Sequence, residues 1–267
     1  MNAINDFEII DFHTHPFIRE EQNICAHRSS CNMSVQGTAE LMRDLGVSHI
    51  CGSVIGGRGE GEDLWQHTLA VNNEALILRE IYDDFYIPGF HVHPAYVRQS
   101  CEEIERMNGL GVKLIGELVP YFMAWEDMGY DYQSRELYEI LDLAQQYDMV
   151  VSFHSMHEDA MDRMVADHPH LRFVAAHPGE YGAFCRHMER MKRSENYWLD
   201  LSGYGIFRHG MLRHAIDEHG AERFVFGSDY PTCNPGMYIG GVLLDTTITD
   251  REKEMIFSKN AKALLGI

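Results

Sequence analysis

Ile9-Ile10-Asp11-Phe12-His13-Thr14-His15-Pro16 reads as a short buried strand that runs into two histidines. A strand places residues i and i+2 on one face. His13 and His15 therefore point the same way, about 7 Å apart along the chain at about 3.3 Å of rise per residue. Two imidazoles so placed can converge on one metal ion. Pro16 has no backbone N–H to give to a sheet, so it marks the strand's end. The pair then sits at the carboxyl end of the strand, where α/β sheets keep their ligands. An HxH pair alone is a weak signal. Its weight depends on whether other ligand-type residues fall at other strand ends.

Outward from this stretch, apolar β-branched runs alternate with longer helical patterns. The first strand covers 8–12, and further strands are expected at 48–54, 86–92, 112–118, 149–153, 172–176, 197–201 and 223–227. Helices are expected at 38–45, 63–83, 99–107, 134–147, 158–167, 181–192, 211–219 and 250–265, with Gly46 ending the first and Ser134 capping the fourth. Pro88 leaves the start of the third strand open. Strict alternation of eight strands and eight helices implies βαβ units and a parallel sheet. Nearly uninterrupted apolar strands suit a sheet buried on both faces. The expected fold is a single (β/α)8 TIM barrel over residues 1–267, with distorted edges and its site at the carboxyl ends of the strands. The length of 267 residues is close to the roughly 250 such a barrel takes.

Lys and Arg number 22 against 41 Asp and Glu, a formal charge of −19. A chain this acidic repels phosphate backbones, so a small-molecule substrate is expected and nucleic acid is not. No apolar run approaches the roughly 18 residues of a membrane span, and the start of the chain shows no secretory pattern. Cys25, Cys31, Cys51, Cys101, Cys185 and Cys233 lack CxxC spacing and read as free thiols of a cytoplasmic protein. Assembly into a homo-oligomer is left open. The glycine-rich 56–61 segment lacks the Lys-Ser/Thr ending of a phosphate loop and reads as a plain loop.

Six residues fall at or just past the predicted strand ends: His13 and His15, Glu117, His154, His177 and Asp229. Imidazoles and carboxylates without cysteine form a ligand set for a catalytic divalent ion, zinc first, with manganese or iron as alternatives. Each residue taken singly could be a core histidine or a turn aspartate. Six such coincidences at matching strand ends are improbable. The stretches Asp11-Phe12-His13-Thr14-His15, Phe153-His154-Ser155, Ala176-His177-Pro178-Gly179, Asp200-Leu201-Ser202-Gly203 and Phe226-Gly227-Ser228-Asp229-Tyr230-Pro231 resemble the amidohydrolase superfamily. The likeness is to its amidohydrolase-2 type of TIM-barrel metal-dependent hydrolases and decarboxylases, and the tail 259–266 is similar to the family's closing helix.

The resemblance implies that His13, His15 and Asp229 bind a buried metal, with Asp229 also moving a proton. It implies that His154 and His177 bind a second metal, or that one of them, His177 in our reading, polarises the substrate. Many relatives bridge two metals with a carboxylated lysine on the fourth strand. Here Lys113 lies about 13 Å deeper than Glu117 along that strand, so Glu117 is the expected bridge between two ions. His93, Arg58, Tyr121 and Tyr230, on loops after strands 3, 2, 4 and 8, are candidate substrate contacts, against the plainer reading of solvated or core residues. The leading expectation is a metal-dependent hydrolase of an amide, lactone or other ester bond, using metal-activated water. The alternative is a non-oxidative decarboxylase of an aromatic or unsaturated acid with one metal. A metal-dependent deoxyribonuclease ranks third because of the net charge, and a metal-free binding barrel fourth.

Overall fold

The first strand, β1 (Ile9–Asp11), pairs in parallel with β2 (Val47–Gly52). The series continues through β3 (Tyr86–Phe90), β4 (Leu114–Leu118), β5 (Val150–His154), β6 (Arg172–Ala176), β7 (Tyr197–Asp200) and β8 (Phe224–Val225). Each strand pairs in parallel with the next, in the order of the sequence. The computed structural model describes residues 4–25, 34–56, 63–205 and 208–267. The last strand returns to the first beyond their regular ends. Phe12 N donates to Phe226 O at 2.9 Å, Asp229 N to His13 O at 2.8 Å, and His15 N to Tyr230 O at 2.7 Å. This seam closes the eight strands into a TIM barrel, as expected.

The helices cover the outside: α1 (Val35–Asp44), α2 (Leu64–Tyr82), α3 (Val97–Gly109), α4 (Arg135–Gln146), α5 (Glu158–Asp167), α6 (Tyr181–Arg193) and α7 (Met211–His219). In α4, Leu137, Ile140, Leu141 and Ala144 recur at helical spacing and are all fully buried. Each of the three larger ones contributes roughly 1.5–3 kcal/mol relative to exposure. Successive strand residues face opposite ways. Ile10, Cys51, Leu114, Val150, Val174 and Val225 pack together inside the barrel, with Ala261, Leu264 and Leu265 at one end of the stack. Their neighbours Ile9, Ile50, Ile115, Val151 and Phe224 pack toward the helices.

The alternation is not strict. After β8 comes an unexpected α8 (Pro235–Leu243), entered through Asn234, whose Oδ1 accepts from Gly236 N at 3.0 Å. The expected last helix is three pieces: α9 (Asp250–Glu254), a π-helical turn over Met255–Lys259, and α10 (Asn260–Leu265). Arg172, the first residue of β6, donates to Leu264 O at 2.5 Å, which places α10 at the amino ends of the strands, opposite the site. Ser134 stands at the start of α4, but its hydroxyl turns back to accept from Asp131 N at 2.8 Å instead of capping the helix. Pro88 is accommodated within β3, opposite Gly52.

Candidate metal centre

The carboxyl ends of the strands bring seven buried or half-buried side chains together. Glu117 lies within β4, His154 and Asp200 end β5 and β7, and His177 follows β6 directly. His13 and His15 extend β1, and Asp229 lies in the turn after β8. His177 and Asp229 both have a positive φ, at 70° and 59°. Left-handed backbone costs a non-glycine residue of the order of 1 kcal/mol, and such conformations concentrate at functional sites. Two backbone bonds hold the conformations in place. Asp200 Oδ1 accepts from His177 N at 3.0 Å, and Asp229 N donates to His13 O.

The outer nitrogens decide what the inner ones present. His13 Nδ1 lies 2.6 Å from Asp200 Oδ2, and His15 Nδ1 lies 3.1 Å from the carbonyl oxygen of Ser53. Both partners only accept, so both Nδ1 atoms carry a proton, and in the neutral rings both Nε2 atoms present lone pairs. Those two Nε2 atoms stand 3.1 Å apart. Glu117 Oε2 is 3.3 Å from each, and Asp229 Oδ1 is 3.7 Å from the first and 3.6 Å from the second. Donors held about 2.0–2.2 Å from a shared ion in a tetrahedron stand roughly 3.3–3.6 Å from one another. His13, His15 and Asp229 offer donor atoms close enough together to hold one divalent ion, and Glu117 Oε2 stands against both imidazole nitrogens beside them.

Glu117 turns its other oxygen to the remaining histidines. Oε1 lies 2.9 Å from His154 Nδ1 and 3.6 Å from His177 Nε2. Burial works against charge on Glu117, but His13, His15 and His154 outweigh it and hold its carboxyl well below the usual range. Asp200 behaves likewise: burial raises its pKa and His13 pulls it down further. Burial also lowers the pKa of His177, whereas at His154 the hydrogen bond and charge of Glu117 overcome burial and raise it. Ser202 joins the two halves of the site. Its hydroxyl donates to Asp200 Oδ1 at 2.6 Å and so accepts from His177 Nδ1 at 3.0 Å, which leaves the His177 Nε2 lone pair facing Glu117. A Cβ on Gly203 would fall 2.3 Å from His177 Nδ1, so that glycine makes room for the ring.

All six sequence-predicted ligands thus meet. Lys113 does not join them: its Nζ donates to Asn108 Oδ1 and Tyr147 O, both at 2.7 Å, just before β4 begins. Tyr121 is half exposed, and its ring meets His154 edge-on at 5.3 Å. Tyr230 is buried, with its hydroxyl 3.1 Å from Thr38 Oγ1. His93 is fully buried and holds its own loop, with Nδ1 accepting from Ala95 N and Nε2 donating to Met123 O. Arg58 lies outside the described residues. The sequence reading gave no role to Asp200 or Ser202. Asp200 and Ser202 stood in a recognised stretch, which was the available signal. Among the described residues, no helix is long and apolar enough to cross a membrane.

The family model described as Amidohydrolase matches residues 10–267. No curated protein matches the chain in sequence. Among solved structures, an uncharacterised TIM-barrel protein from Bordetella bronchiseptica is similar, with TM-score 0.77 and 19% identity over 97% of this chain and 99% of that one. The 2,6-dihydroxybenzoate decarboxylase from Rhizobium follows at TM-score 0.73 and 17% identity, over 97% and 99%. A dihydroxybenzoic acid decarboxylase from a Polaromonas species, solved with bound manganese and the inhibitor 2-nitroresorcinol, gives TM-score 0.65 and 16% identity, over 97% of each chain.

Proposed function

Because the chain belongs to the amidohydrolase family, we propose that it is a one-metal, non-oxidative decarboxylase of a small aromatic or unsaturated carboxylic acid. The reading puts the decarboxylase ahead of the hydrolase that the sequence favoured. One observation carries it. Among the described residues, the two groups of three donor atoms close enough to hold an ion both include His13. His13 has one lone pair to offer, so the two groups cannot both be filled at once, which supports a single ion. A similar fold in two dihydroxybenzoate decarboxylases, one holding manganese, supports the same reading.

His13, His15, Glu117 and Asp229 would hold the ion, manganese or zinc. When bound it supplies positive charge that fixes a substrate oxygen and draws electron density from the carbon to be released. The chain's own part is the proton. In the reaction the bond to the carboxylate breaks, carbon dioxide leaves, and the carbon takes up a proton in its place. His154 has the most open imidazole of the four, with 23% of the side chain exposed against 13% for His177 and 2–3% for the other two. Its Nδ1–H donates to Glu117, which raises the basicity of Nε2, so Nε2 collects a proton and hands it to carbon. His177, oriented by Ser202, accepts from the substrate at Nε2.

The second reading is two-metal hydrolysis, favoured by the way Glu117 faces His13 and His15 with one oxygen and His154 and His177 with the other. Metal counting together with product analysis separates the two. The protein is loaded with manganese or zinc, weighed for metal per chain, and offered hydroxybenzoic acids alongside lactones and anilides. One ion per chain and release of carbon dioxide are expected. Two ions with ring opening or amide cleavage would replace the decarboxylase by the hydrolase.

A further inference from the structure

Behind His177, where α6 packs against the strands, lies a buried polar chain that the proposed reaction leaves unused. Its anchor is Arg190, a charged side chain that is 1% exposed. Arg190 Nε donates to Asp162 Oδ1 and Nη2 to Glu158 Oε2, both at 2.6 Å. Its Nη1 donates to the hydroxyl oxygen of Tyr197 at 3.1 Å. That hydroxyl therefore turns its own hydrogen to His187 Nδ1, 2.5 Å away, and Arg190 Nη1 stands 3.4 Å from the same nitrogen. A guanidinium can only donate, so both neighbours of Nδ1 supply hydrogens and Nδ1 is the acceptor of the ring. Burial and the charge of Arg190 push the pKa of His187 down to about 3, so the ring is neutral and its single proton sits on Nε2.

His187 Nε2 is buried and makes no well-formed hydrogen bond. The acceptor that faces it is the backbone carbonyl of His177. A buried donor left unpaired is costly, and native structures give nearly all such groups a partner. His177 needs such a tie. Its φ of 70° is left-handed, a conformation that persists only where the surroundings over-determine it. Asp200 holds the amide of His177 and Ser202 holds its ring; the carbonyl is the third point. We infer that His187 is a positioning residue: its Nε2–H, oriented by Tyr197 and Arg190, holds the His177 carbonyl and with it the turn that aims the His177 ring at the substrate. The inference rests on the reading in which His177 meets the substrate, and it adds what fixes that ring from behind.

His187→Leu, which removes the donor, and His187→Gln, whose amide N–H reaches the place of Nε2, test it in the zinc-loaded full-length protein. Two readouts are taken: kcat and KM for the hydroxybenzoic acid that the wild type turns over fastest, and the ¹⁵N–¹H resonance of His177 Nδ1. In His187→Leu, kcat should fall at least about tenfold at unchanged KM and metal content, and the His177 resonance should move. His187→Gln should restore both to near the wild-type values. Equal losses in the two variants, or a His177 resonance unmoved by His187→Leu, would overturn the proposal. A moved resonance with unchanged kcat would keep the positioning and remove His177 from the reaction, so the two readings fail separately. In the wild-type protein the nitrogen shifts of His187 should place its proton on Nε2. A proton on Nδ1 would overturn the proposal even if neither variant folds.

Discussion

His13 and Asp200 stand 187 residues apart in the chain and meet at 2.6 Å, Nδ1 to Oδ2. The contact fixes which nitrogen of His13 is free. In Asp200→Asn the amide can present N–H to the ring, which turns the imidazole over to its other tautomer and places a proton where the ion belongs. Metal affinity should fall about 10–100-fold while the circular dichroism spectrum is kept. Chelator competition on the refolded variant checks it, and unchanged affinity would show that Asp200 does not set the tautomer.

Ser202→Ala leaves His13 its bond to Asp200 and removes the acceptor for His177 Nδ1. Metal content should match the wild type, and kcat should drop roughly tenfold, within the range of a lost positioning or proton-transfer contact. Kinetics on the metal-loaded variant test this. A parallel loss of metal would make Ser202 a support of the ligand set instead.

Proton and ion compete for His13. Burial disfavours its charge, but Glu117 and Asp200 outweigh burial and hold its pKa well above the ordinary value. Below that raised pKa, binding must first displace a proton. Apparent metal affinity should therefore weaken as pH falls, by up to about tenfold per unit. Titrations between about pH 8 and about pH 6 read this directly, and a flat profile would remove His13 from the ligand set.

His187 lies fully buried beneath the site, where burial and the charge of Arg190 push its pKa down to about 3. The unfolded chain takes up a proton near pH 6.5 and the native chain does not, so this residue subtracts stability as pH falls below that value. Between pH 7 and pH 5 the native state should lose about 2 kcal/mol more than His187→Gln loses. Urea unfolding at both pH values compares the two slopes.

The barrel was legible because its strands are short apolar runs that end in polar residues with metal-binding chemistry. Strand rise, together with the resemblance to relatives that carry Gly-Glu on this strand, favours Glu117 over Lys113, and the structure puts Lys113 among Asn108 and Tyr147, before β4 begins. Helix α8 was hidden by its own composition. Gly236, Gly240 and Gly241 lie within Pro235–Leu243, and glycine costs about 1 kcal/mol in a helix interior. The π-helical turn has no pattern in sequence. Drawing the third strand two residues too long put His93 at its end. β3 ends at Phe90, and His93 starts the next helical turn. Asp200 could not be given a role from sequence, since its partner lies on the far side of the chain.

The seam between β1 and β8 carries a consequence for biogenesis. His13, His15 and Asp229 flank it, and the backbone bonds that close it are those that position them. A chain truncated before Asp229 lacks one carboxylate of the proposed ligand set, which would be complete only once the two ends of the barrel have joined. On the proposed reading, ion uptake would follow closure, and a seated ion would clasp the oldest part of the chain to the youngest.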